Sequence, residues 1–125
     1  EAGREFHGKV PGTVMTVAFE LDGQRYTALN GGPMFKFNEA ISLQVHCSTQ
    51  QELDRYWDAL SAGGDASAQQ CGWLKDRYGL SWQIVPAVLT DMMSSEDAAK
   101  SGRVMTAILG MRKLDIAQLE QAFRG

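Results

Sequence analysis

The sequence predicts an α+β fold with a mostly antiparallel sheet, and three features predict it. Two alternating stretches, VMTVAFEL and QRYTALN, flank Asp22-Gly23, the pattern of a hairpin closed by a type I′ turn. A third alternating stretch, AISLQVHC, runs straight into a helical stripe. A strand–turn–strand pattern then follows in CGWLKDRYGLSWQIVP, and helices close the chain.

Each element has a local cause. Residues 1–12 are polar, contain glycine and show no period. In Val14–Leu21, Met15, Val17, Phe19 and Leu21 share one face, and Gln24–Asn30 is the return strand. Gly31-Gly32-Pro33 breaks it and does not open a helix, so this is no phosphate loop. In Ala40–Cys47 the apolar Ile41, Leu43, Val45 and Cys47 oppose Ala40, Ser42, Gln44 and His46. Thr49 through Glu52 is spaced as a capping box, with Thr49 as N-cap. Leu53, Tyr56, Trp57 and Leu60 make the helix stripe behind it, and Gly63-Gly64 stops it.

Gly72–Asp76 and Leu80–Val85 read as short strands joined by Arg77-Tyr78-Gly79, and Pro86 ends the second because it has no N–H to donate. Ser94 and Asp97 are spaced as a second capping box, and Asp115 with Gln118 starts a last helix. Val104, Met105, Ile108, Leu109 and Met111 form the tail's apolar face, and the stripe of Val104, Met105 and Ile108 suits a dimer contact.

Composition narrows the function classes. The chain has 125 residues, 44% hydrophobic and 22% charged, which suits a single domain with its own core. A net charge of −3 gives no electrostatic case for nucleic acid or an anionic membrane. No apolar run reaches the roughly 20 residues of a membrane helix, and EAGREFHGKVPG has no apolar core of a secretory signal. Cys47 and Cys71 read as reduced thiols in a cytoplasmic protein. Cys71 has no His or Asp beside it in sequence to activate it.

The runs VMTVAFELDGQRYTALNGGPMFKFNEAISLQV, QQELDRYWDALSAGG and QCGWLKDRYGLSWQIVP resemble the PhnB-like branch of the vicinal oxygen chelate superfamily, often labelled "3-demethylubiquinone-9 3-methyltransferase". The resemblance implies a glyoxalase-like fold of paired βαβββ modules whose mostly antiparallel sheet is curled around a cleft. The expected organisation is one domain over residues 1–125, with residues 1–39 as the remainder of a first module, 40–86 as the second module and 87–125 as a helical tail. The first module is expected here without its opening strand and helix. A homodimer is also expected.

The resemblance further implies where a metal would sit. In metal-dependent members, His or Glu ligands come from the first and last strands of each module, and the ion polarises vicinal substrate oxygens. Carried over by position, Ala28 stands where a Glu is expected and Ala40 where a His is expected. The family's Trp-Glu-Leu becomes Trp82-Gln83-Ile84. His46, six residues beyond Ala40, lies too far along the strand to substitute. Gln is a neutral donor that cannot supply the charge a divalent site needs.

The expectation is therefore a metal-free small-molecule cleft lined by Ser42, Gln44, Ser81, Gln83 and Trp73, with no catalytic residue assigned and no cofactor, although a divalent metal stays open. The alternatives are a metal-dependent lyase, isomerase or dioxygenase, and methyl transfer as the label suggests. The second has no Gly-rich strand-to-helix turn to support it. Trp57 and Trp82 read as packing between helix and sheet, and Met92, Met93, Met105 and Met111 as apolar filler in the tail.

Overall fold

The structure, a computed structural model, describes residues 4–125. The chain divides between Lys36 and Phe37 into two compact units.

The described part of the first unit holds a short helix, α1 (Arg4–His7), and a hairpin of β1 (Thr16–Leu21) and β2 (Gln24–Leu29). The aperiodic opening sequence gave no sign of α1. Asp22 and Gly23 both have positive φ, 48° and 77°, as a type I′ turn requires. The turn sets Leu21 opposite Gln24, and so Phe19 opposite Tyr26 and Val17 opposite Ala28. The two aromatic rings stack with centroids 5.5 Å apart. Asn30 extends the ladder through its backbone N–H, donated to the Met15 carbonyl, and its side-chain amide, donated to the Val14 carbonyl.

The second unit comprises β3 (Ser42–Cys47), α2 (Gln50–Ser61), a 3₁₀ turn (Ala66–Ala68), β4 (Trp73–Lys75), β5 (Ser81–Pro86), α3 (Val88–Met93), α4 (Ala98–Leu109) and α5 (Ile116–Arg124). Its sheet is mixed, in the order β3-β5-β4. The outer strand β4 runs antiparallel to β5, whereas β3 and β5 are parallel. A parallel pair needs a crossover, and α2 supplies it. With the hairpin, two of the three strand pairings are antiparallel.

The core joins one face of this sheet to α2 and to the tail helices. Leu53, Leu74, Ile84, Val104, Leu114 and Leu119 are each at most 1% exposed, and Trp57 and Cys47 join them. Each such aliphatic side chain contributes about 1.5–3 kcal/mol of burial. Thr49 caps α2 as expected, accepting from the Glu52 N–H at 3.1 Å. The Glu52 carboxylate reaches back to the Ser48 N–H, one residue beyond the N-cap. Gly63 ends the helix with φ 76°. Gly64 is required for a different reason: a Cβ there would overlap the Lys75 carbonyl oxygen of β4.

The tail departs from expectation in three places. The cap of α4 is Asp97, not Ser94: its carboxylate accepts from Ala99 and Lys100. Ser94 instead ends α3, a helix that the sequence does not announce because Ala87, at its N-cap, has no capping side chain. Val104 and Ile108 face the unit's own core, so the stripe read as a dimer contact is internal, and only Met105 and Leu109 of that face stay exposed. Met92 does fill the core, with Met93 and Met111 packed against it. Asp115 caps α5 as expected, accepting from Gln118 at 2.9 Å. Gln50 ties α2 to that same turn, donating to the Leu114 carbonyl and accepting from the Ile116 N–H. The tail and the βαββ segment thus share one core.

Candidate functional site

Alternation along three strands decides which side chains meet on the sheet face away from α2. On β3 these are Ser42, Gln44 and His46; on β5, Ser81, Gln83 and Val85; on β4, Trp73 and Lys75. The parallel register sets Gln44 beside Gln83 and Ser42 beside Ser81, and the antiparallel register sets Trp73 opposite Gln83.

Three of the residues singled out in the sequence form one hydrogen-bonded chain. Gln83 donates its side-chain amide to the Ser42 hydroxyl at 2.8 Å, and its carbonyl accepts from the Gln44 amide at 3.2 Å. Gln44 is exposed, while Ser42, Gln83 and Trp73 are half-buried, so the chain opens on one side to solvent. Ser81 shares the face but is only 1% exposed, between Ser42 and Lys75 in the register. It is the least accessible residue of the expected lining.

Two further side chains of this face lie near the hydrogen-bonded chain. His46 pairs with Val85, one same-face position beyond Gln44, about 7 Å along the strand. Ala40 precedes β3 and has no partner on β5, so the first-strand positions beside Gln83 are Ser42 and Gln44. Lys75, the cation of the face, forms an ion pair with Glu39. That hydrogen bond holds the Glu39 carboxyl below its ordinary range. A lysine in an alternating strand gives no signal of where its partner lies.

Asp76 sets the geometry from beneath. One carboxylate oxygen accepts from the Tyr78 and Leu80 N–H groups, closing the turn between β4 and β5. The other accepts from the Trp82 indole at 3.0 Å. Trp82 faces the core side of β5, so the turn and the strand that carries Gln83 are locked together. Both cysteines are free thiols, and burial pushes the Cys47 thiol up.

The donors of the hydrogen-bonded chain do not fit a divalent ion: they are two amides and a hydroxyl, all neutral, and Gln83 already uses its oxygen and nitrogen within the chain, which leaves His46 as the one metal-ligating side-chain type on this face. Among the described residues no three His, Cys, Asp or Glu side chains come together in a metal-holding group.

The sequence profile of the 3-demethylubiquinone-9 3-methyltransferase family matches residues 1–85. The chain belongs to that family. A solved structure of a protein described as a putative 3-demethylubiquinone-9 3-methyltransferase, PhnB protein, from Bacillus cereus is similar to it, at 34% identity and a TM-score of 0.52, covering 61% of this chain and 67% of that one. No curated protein matches. The mixed α+β architecture agrees with a PhnB-like glyoxalase-type fold. Among the described residues no helix is long and apolar enough to cross a membrane.

Proposed function

We propose that this member of the 3-demethylubiquinone-9 3-methyltransferase family binds a small molecule on the polar face of β3, β5 and β4, through Gln83, Gln44 and Ser42 with Trp73 at the edge, and without a metal ion. One observation carries the reading. Gln83, at the position where the family resemblance puts a carboxylate ligand, is built into a neutral hydrogen-bonded chain with the two β3 residues that flank it. A group arranged in this way recognises polar ligand atoms but supplies no charge to a cation.

The test is a thermal-shift titration of the chelator-stripped chain with Ni²⁺, Mn²⁺, Fe²⁺ and Zn²⁺, with small organic fragments in parallel. An ion present at a hundred times its Kd would add about 2.7 kcal/mol to stability. The expected result is no saturable rise with any ion in the native chain, and a rise in the double variant Ser42→His/Gln83→Glu, which restores His and carboxylate donors to adjacent strands. A saturable, chelator-reversible rise in the native chain overturns the reading and favours a metal-dependent lyase, isomerase or dioxygenase.

A further inference from the structure

Resting on that binding reading, we propose that the ligand group held by Gln83 is uncharged and planar, with an amide donor and acceptor side by side: a lactam, an imide or an aryl carboxamide, lying against Trp73. A count of hydrogen-bonding valences leads to this class. A glutamine amide has two N–H groups and two carbonyl lone pairs. Gln83 commits one N–H to Ser42 and one lone pair to Gln44, which leaves one of each. Gln44 commits one N–H and keeps the other with its carbonyl oxygen. Ser42 accepts from Gln83 and keeps its own proton. The chain therefore offers donors and acceptors together, and a ligand with both kinds matches them at once.

Charge argues the same way. A carboxylate or phosphate on this face would meet the donors but also the amide oxygens, which repel it. The neighbouring cation, Lys75, is engaged by Glu39, and that pairing offsets both charges. A cationic ligand meets no free carboxylate among the face residues of the three strands. Size and shape follow from the sheet. Trp73 and Gln44 lie on strands either side of β5, about 10 Å apart at ordinary strand spacing. This span fits one or two fused rings. The Trp73 ring, half-buried opposite Gln83, is the flat apolar surface for them.

Three probes separate the elements of this proposal: nicotinamide, nicotinate and cyclohexanecarboxamide. The first has the ring and the amide, the second exchanges the amide for a carboxylate, and the third removes the aromatic ring. The readout is the ¹⁵N NMR shift of the Gln44 and Gln83 side-chain amides and the Trp73 indole in the full chain. Nicotinamide is expected to move all three signals and to bind about tenfold more tightly than either other probe, the factor expected when one good polar or stacking contact is lost. Gln83→Met, close in shape but without the amide, is expected to weaken nicotinamide about tenfold while the Trp73 signal still responds; Gln83→Glu gives the same loss if the methionine variant does not fold.

Nicotinate binding as tightly as nicotinamide overturns the neutral-amide assignment, and equal binding of cyclohexanecarboxamide overturns the role of Trp73. If none of the three moves these signals but other fragments do, the ligand class is wrong and the binding face stands. If no fragment moves them, both readings fall.

Discussion

The hairpin unit and the βαββ-helical unit use the same alternation of apolar and polar residues to opposite effect. In the hairpin, Val17, Phe19 and Leu21 line one face, yet each remains 40% exposed or more. In the second unit, the core face of β4 and β5 buries Leu74 and Ile84 to 1% or less. Within each unit taken by itself, the difference is the second layer. A two-stranded ribbon buries little by itself, whereas α2, α4 and α5 all contribute buried side chains to the core that contains β5. Alternation specifies a face, and only a packed partner turns that face into stability.

The largest test of this contrast is a pair of truncations. Ile84→Ala removes a fully buried side chain from the core strand and is expected to cost about 2–5 kcal/mol in urea unfolding. Phe19→Ala, on the exposed hairpin face, loses mainly its stack on Tyr26 and is expected to cost about 0.5–1.5 kcal/mol. Equal losses would show that the hairpin face is as well packed in solution as the core, and the contrast would fail.

The next effect in size tests backbone packing within the second unit. Gly64→Ala places a Cβ against the Lys75 carbonyl, a backbone atom that cannot swing aside. The expected cost is about 1–3 kcal/mol, as for other overpacked sites. Gly23→Ala in the hairpin has open space around its Cβ but a positive φ of 77°, so its smaller cost, about 1 kcal/mol, comes from conformation alone. Circular dichroism melts of the two variants rank them, and the reverse order would refute the close approach at Gly64.

What could be read from the sequence follows the range of the interaction involved. The type I′ turn was legible because Asp-Gly tolerates positive φ at both positions, and the turn then fixes the hairpin register. Thr49 and Asp115 were legible as caps because each bonds within four residues. The same logic failed at Ser94, where Asp97, three residues on, takes the N–H groups. The polar face was legible by alternation, so Ser42, Gln44, Gln83 and Trp73 could be grouped. Which of them touch depends on the β3–β5 register, a pairing across about 39 residues that no local signal encodes. That register sets His46 one same-face position beyond Gln44, and it sets Ser81, which is buried, beside Ser42.

A helix cap gives the third prediction. Asp115→Ala removes the acceptor for the Gln118 N–H at the start of α5 and is expected to lower stability by about 1 kcal/mol. Because Gln50 holds the same turn from α2, the loss should grow in the double variant with Gln50→Ala beyond the sum of the single ones. Strict additivity in urea unfolding would mean that the clasp and the cap act independently, and that α5 is less firmly joined to α2 than the shared turn indicates.

The smallest expected effect is a pH dependence at Asp54 in the second unit. The Lys113 ammonium and the Gln50 amide beside Asp54 hold its carboxyl below the ordinary aspartate range. A carboxyl lowered in the folded chain stabilises it fully above its unfolded pKa, about 3.9. That stability is lost as pH falls through the lowered folded value. The pair is largely solvent-screened, so the slope is shallow. Lys113→Met is therefore expected to leave the melting temperature nearly unchanged at pH 3 and to lower it slightly at pH 7. A larger drop at pH 3 than at pH 7 has the wrong sign for this pair and would place the role of Lys113 in packing instead of charge.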